Sequence, residues 1–137
     1  MSYQSSQTYI NLPVKDLNRT KEFFGSIGFE FNPQFSDENS ACLVINDNTF
    51  VVMLTESYFN TYVSKPIANL ASHSAGIIAL TANSREHADE LAEKAYAAGG
   101  KPYKDALDHG FMYVKSFEDP NGHLWEIGYF DMSAFSQ

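Results

Sequence analysis

The order of secondary-structure signals occurs twice in this chain, and that repetition limits its fold more than any other feature. A first helix signal opens at Asp16, a good N-cap, with Leu17, Thr20, Phe24 and Ile27 at helical spacing and Gly28 just past the last apolar position. A second opens at Ser84, with Ala88, Leu91, Ala92, Ala95 and Ala98 on one face and Gly99-Gly100 at its end. The two caps lie 68 residues apart, half of a 137-residue chain. A strand-like run precedes each helix, Thr8–Val14 and Gly76–Ala82, and three follow each. After the first helix these are Phe29–Phe35, Ala41–Ile45 and Thr49–Thr55, with Asn46-Asp47-Asn48 as the last turn. After the second they are Pro102–Asp105, Phe111–Phe117 and His123–Phe130. The turn Asp119-Pro120-Asn121-Gly122 joins the final pair, Pro presetting φ and Gly supplying a positive one.

The pattern is βαβββ twice. It predicts an α+β protein of two tandem modules, residues 7–56 and 75–131, within one domain spanning 1–137. The two sheets are expected to curve into a mixed-sheet trough. About 19 residues, Glu56–Ser74, join the modules, too many for a structureless connection. Helical spacing of Tyr58, Phe59 and Tyr62 predicts a short helix there, ended by Lys65-Pro66 within a linker at 57–74.

Charge narrows the partners. With 17 Asp+Glu against 9 Lys+Arg the net charge is −8, and no Lys/Arg cluster is present to neutralise phosphates, which argues against nucleic acid. The balance favours a cationic or neutral ligand. The lone Cys42 sits in an apolar run and reads as a buried strand thiol. No run approaches the roughly 20 apolar residues that span a membrane, and the N-terminal residues lack a signal peptide's apolar stretch, so the expected compartment is the cytoplasm. Gly-rich phosphate loops, paired cysteines, His pairs at i, i+4 and Gly-x-Ser-x-Gly elbows are absent from the sequence.

Two stretches carry a resemblance. Ile10-Asn11-Leu12-Pro13-Val14-Lys15-Asp16-Leu17, followed by Phe23-Phe24 and Gly28-Phe29, and Phe117-Glu118-Asp119-Pro120-Asn121-Gly122-His123-Leu124-Trp125-Glu126-Ile127 are similar to the opening and close of the glyoxalase/bleomycin-resistance/dioxygenase (vicinal oxygen chelate) superfamily. The resemblance covers nearly the whole chain and implies the glyoxalase-like fold. Metal-dependent members such as glyoxalase I use four His, Glu or Gln ligands, on the first and last strand of each module. Carried over, these positions are Tyr9, Met53, Ile77 and Glu126. A neutral phenol, a thioether and an aliphatic side chain are poor substitutes for nitrogen and oxygen ligands. The expectation is therefore no metal site and no cofactor.

Strand alternation then selects a pocket. Tyr9 brings Asn11 to the trough, with Ile10, Leu12 and Val14 facing the helix. Met53 brings Val51 and Thr55, Ile77 brings Ala79, and Glu126 brings Leu124 and Gly128. The candidate ligand-binding set is Tyr9, Asn11, Met53, Thr55, Ile77 and Glu126. Glu126, on an apolar strand, would be partly desolvated, which suits a general base or a partner for a ligand cation; it can equally pair with a nearby Lys or Tyr and serve structure. His109 precedes a strand and is the candidate catalytic partner of Glu126, with a plain surface histidine as the alternative. His73 and His87 read as solvent-facing, His123 as pointing away from Glu126, and Asp119 as stabilising its turn. The leading reading is a protein that binds a small cationic or aromatic molecule. A lyase- or isomerase-type enzyme using Glu126 with His109, or an atypical divalent ion, is the alternative, and a non-catalytic interaction module a third. Open sheet edges predict a homodimer.

Overall fold

The computed structural model describes residues 2–135. The chain packs as two compact units, Met1–Ile67 and Ala68–Gln137.

In the first unit, strand β1 (Thr8–Val14) leads into helix α1 (Leu17–Ile27), then β2 (Glu30–Asn32), β3 (Ser40–Asn46), β4 (Thr49–Thr55) and a four-residue helix α2 (Glu56–Phe59). The sheet order is β1-β4-β3-β2, with β1 and β4 parallel and the other pairs antiparallel. Asp16 caps α1 by accepting from the Arg19 backbone N–H at 3.0 Å, and Gly28 ends it at φ 115. Leu17, Thr20, Phe23, Phe24 and Ile27 are the buried face of the helix. Val51 and Met53 on β4 and Ala41 and Leu43 on β3 share one sheet face by register, and all four are wholly buried.

The second unit repeats the order with β5 (Ile77–Thr81), α3 (Arg85–Ala97), β6 (Leu107–Asp108), β7 (Met112–Glu118) and β8 (Leu124–Phe130). Its sheet order, β5-β8-β7-β6, matches the first, again with the outer pair β5–β8 parallel. Ser84 caps α3 through the His87 N–H at 2.9 Å, and His87 Nδ1 accepts from the Asn83 N–H at 3.0 Å. This is a reciprocal cap with histidine in the place usually held by Glu or Gln. His87 is thus half-buried and structural rather than solvent-facing. Ala88, Ala92 and Ala95 are fully buried. Trp125, also fully buried, stacks on Phe117 with centroids 6.1 Å apart. Polar ties join α3 to the sheet: Tyr96 donates to the Ser116 carbonyl at 2.6 Å, Tyr113 to Asp89 at 2.5 Å, and Arg85 pairs with Asp108.

Three expected elements differ, two of them for the same reason. Phe29–Phe35 forms only three residues of strand before a 3-10 turn at Pro33–Phe35, and Pro102–Asp105 forms none. Each contains a proline, which cannot donate to a ladder. Only Lys101 bridges Glu118 before pairing resumes at β6. The connector helix stops at Phe59, six residues short of Lys65-Pro66. Among the described residues no helix is long and apolar enough to cross a membrane.

The β7–β8 turn is organised by Asp119, only 4% exposed. Its Oδ1 accepts from the Asn121 and His123 N–H groups at 2.9 and 3.1 Å, and its Oδ2 from the Trp125 indole at 3.0 Å. Burial pushes its carboxyl above the usual range, while His123 and these donors pull it back down. Gly122 closes the turn at φ 96, where an added Cβ would also come 2.8 Å from Leu70 Cβ. Removing the acceptor of three inward-facing N–H groups, each costing about 1–3 kcal/mol if left unpaired, makes Asp119→Ala destabilising by on the order of 3 kcal/mol in urea unfolding. Asp119→Asn, which keeps one accepting oxygen, is expected to lose clearly less; equal losses would show that the turn does not depend on the carboxylate.

Candidate functional site

The strongest polar feature on an accessible sheet face lies in the second unit. Strand β8 sits between β5 and β7, so Glu126 is flanked by Ala79 on one side and Ser116 on the other. Residues opposed in a ladder share a face. Ile77, Ala79, Leu124, Glu126 and Gly128 therefore lie together, as alternation predicted for this strand pair. Ile77, at the start of edge strand β5, is 52% exposed, while the Glu126 side chain is only 19% exposed. At the end of the face the Phe130 ring lies over Gly128, where a Cβ would stand 3.1 Å from the ring.

The irregular segment after Lys101 brings Lys104 to this carboxylate. Its Nζ lies 2.5 Å from Glu126 Oε2, and its ammonium is also 5.9 Å from the centre of the Tyr103 ring. Buried Ser116 donates to the Lys104 carbonyl at 3.4 Å, tying the segment to β7. Tyr103 donates to the Trp125 carbonyl at 3.4 Å. Burial, then the charge of Glu126 and a hydrogen bond to it, push the Tyr103 hydroxyl from 10.0 up to about 12. The phenol thus remains a neutral donor, and the cluster is a neutralised carboxylate, an ammonium and a phenol beside an apolar surface. Such an arrangement can orient and hold a ligand.

His109 does not join it. Its backbone N–H donates to the Met112 carbonyl at 2.9 Å, and Met112 pairs with Phe130, four residues beyond Glu126. Four strand residues span roughly 13 Å, beyond the combined reach of Glu and His side chains. The expected acid–base pairing of Glu126 with His109 is therefore corrected: the hairpin turn carries His109 to the far end of β7.

In the first unit, Tyr9 stacks on Phe50 at 5.0 Å and donates to Gln7 at 3.1 Å, and Asn11 is exposed on the same face. Met53 and Thr55 are not on that face. The parallel ladder sets Met53 beside Leu12 and Thr55 beside Val14, so both belong to the helix-facing set, and Met53 is fully buried. Thr55 borders a depression of about 380 Å³ at the start of α1, together with Lys15, Lys21, Asp37 and Glu38. The mixed charges there favour neither sign of ligand.

The four positions carried over for a metal do not fit one. Ile77 has no donor atom, Met53 is buried on the helix side of its sheet, Tyr9 is engaged with Gln7, and Glu126 is paired with Lys104. Among the described residues no three His, Cys, Asp or Glu side chains converge as a metal-binding group. The sequence reading gave pairing with a nearby Lys or Tyr as the alternative for Glu126, and Lys104 and Tyr103 are those partners; it named neither by number and missed Ser116 and Phe130. Its one available signal was the Tyr103-Lys104 pair just upstream of the strand that partners Glu126.

A family model described as the Glyoxalase/Bleomycin resistance protein/Dioxygenase superfamily matches residues 6–127. No curated protein matches the chain significantly. Among solved structures, a hypothetical protein from S. aureus is 22% identical with a TM-score of 0.78, the match covering 93% of this chain and 95% of that one. A glyoxalase-related enzyme from Fulvimarina pelagi is 21% identical with a TM-score of 0.77, covering 93% and 88%. A mutant of the genomically encoded fosfomycin resistance protein from Listeria monocytogenes, complexed with Mn(II) and dihydroxypropylphosphonic acid, is 22% identical with a TM-score of 0.65, covering 93% and 90%. At these identities the likeness is one of fold.

The raised Tyr103 hydroxyl gives an alkaline prediction. Because the folded value of about 12 exceeds the ordinary 10.0, its contribution to stability is complete below pH 10 and is lost as pH rises through about 12. Phenolate absorbance of wild type minus Tyr103→Phe should show this late titration, and Glu126→Gln should move it down. A difference curve centred at 10 in wild type would refute the coupling.

Proposed function

The chain belongs to the glyoxalase/bleomycin resistance protein/dioxygenase superfamily, and from that premise we propose that it binds a small, largely apolar molecule on the Glu126 face of its second sheet, without the four-ligand metal arrangement of metal-dependent members. The observation that carries this reading is the half-exposed Ile77, with Ala79 and Leu124, next to a carboxylate that is only 19% exposed. Apolar walls with a few convergent polar groups are the usual composition of small-molecule sites. Phe130 supplies an aromatic edge for a flat ligand, and Glu126 and Lys104 supply its orienting contacts. The protein acts on this reading as a binding protein that needs no cofactor. The homodimer expected from the sequence also belongs to it, because the edge strands β1, β2, β5 and β6 each offer a side for pairing with a second copy. Light scattering at micromolar concentration should return twice the 15.3 kDa chain mass.

Two measurements test the binding reading. Backbone amides of Ile77, Ala79, Leu124 and Glu126 should shift in nitrogen–proton correlation spectra on titration with a neutral aromatic such as phenylacetamide. Ile77→Ser should weaken that binding several-fold while changing stability by less than about 0.5 kcal/mol, as for an exposed substitution. In parallel, thermal unfolding of metal-stripped protein should be unmoved by Ni²⁺, Co²⁺, Mn²⁺ or Zn²⁺. A site filled at 100 times its Kd would add about 2.7 kcal/mol and raise the midpoint by on the order of 10 °C. Such a shift, lost in Glu126→Ala, would replace this reading with a metal centre.

A further inference from the structure

We propose that Lys104 sets the ligand's charge, so that the Glu126 face takes an amphipathic anion, an apolar or aromatic body carrying a carboxylate or similar oxyanion, rather than a cation. The inference rests on the reading that this face binds a small molecule, and it reverses the ligand charge suggested by the acidic composition.

The argument begins with which member of the ion pair meets solvent. The Lys104 side chain is 43% exposed and that of Glu126 19%, so the lysine offers an incoming molecule the larger share of the pair's surface. An ammonium carries three N–H donors, and the pair with Oε2 occupies one direction. The carboxylate, already neutralised at 2.5 Å, attracts an organic cation only if Lys104 is displaced. The segment that carries Lys104 is anchored to the sheet by Ser116, which donates to the Lys104 carbonyl at 3.4 Å, and by Tyr103, which donates to the Trp125 carbonyl at 3.4 Å. Lys104 is thus an exposed cation held at Glu126, the carboxylate flanked in its sheet by Ala79 and Ser116.

The next acid on this sheet face, Glu118, sits opposite Leu124, so Glu126 is the carboxylate in contact with the Lys104 ammonium. Glu126 engages one direction of the Lys104 ammonium, which has further N–H donors to offer a ligand. In a protein of net charge −8, a local cation of this kind favours an anion against the overall field. Charge-assisted hydrogen bonds to a carboxylate are about twice as strong as neutral ones, which is enough to rank ligands of equal shape.

Three probes of nearly equal shape separate the possibilities: phenylacetate, phenylacetamide and phenethylammonium, each titrated into the full chain at neutral pH and followed by nitrogen–proton correlation spectra. The expected order of affinity is anion, neutral amide, cation, with the largest shifts on β5 and β8. Lys104→Met, which keeps the aliphatic stem, should weaken phenylacetate by on the order of ten-fold and leave phenylacetamide nearly unchanged. Lys104→Arg should restore the preference, and well-dispersed spectra of both variants would show that the fold is intact. If phenethylammonium binds wild type as well as phenylacetate does, or if Lys104→Met leaves the ranking intact, the inference is overturned while the binding face stands. If none of the three moves the β5 and β8 amides, the face is not a binding site and both readings fall.

Discussion

A single buried carboxylate fixes the geometry of the second module. Asp119 gathers two backbone N–H groups of its own turn and the indole N–H of Trp125 two residues into the next strand. The contact to Trp125 matters most, because it ties the turn to the side chain around which the module packs. A slip of one residue in the β7–β8 register would reverse every side chain on β8. Trp125 would leave the core and Glu126 would enter it. The place of Glu126 opposite Ser116 and Ala79 is thus a consequence of how Asp119 closes the hairpin.

The two modules reach the same topology with different packing materials. α1 buries two phenylalanines, Phe23 and Phe24, with ring centroids 5.0 Å apart, above the small and medium residues Ala41, Leu43 and Val51. In the second module the bulk belongs to the sheet, as Trp125 and Phe117, and the helix contributes alanines. The larger aromatic side chains thus lie on the helix in one module and on the sheet in the other. The parallel pairs β1–β4 and β5–β8 close each module the same way.

Much of this was legible in the sequence, wherever the signal was local. β1 and β4 lie at their expected bounds, and both helix caps fall on Asp16 and Ser84, since capping and alternation depend on near neighbours. Family membership was legible in the two terminal stretches. The errors have physical causes. Pro33 falls inside, and Pro102 opens, a segment read as a strand. The face of Met53 depends on the parallel register with Leu12, a pairing some 40 residues apart in the chain that no local pattern specifies. Lys104 reaches Glu126 from a segment with no regular structure, so no periodicity could have placed it. His109 was assigned by chemistry, and the length of β7 decided the matter against it.

The alanine face of α3 has a mechanical meaning. Methyl groups at positions 88, 92 and 95 give a nearly smooth surface, without knobs to lock into the sheet. What stops the helix from sliding along its own axis is a set of polar pins: Arg85 to Asp108 at its leading end, Asp89 to Tyr113 near the first turn, and Tyr96 to the Ser116 carbonyl at the trailing end. The helix resembles a rail held by clamps, its depth set by apolar contact and its longitudinal position by electrostatics. One clamp grips the strand residue beside Glu126, so the helix's axial position is coupled directly to the face that carries Lys104.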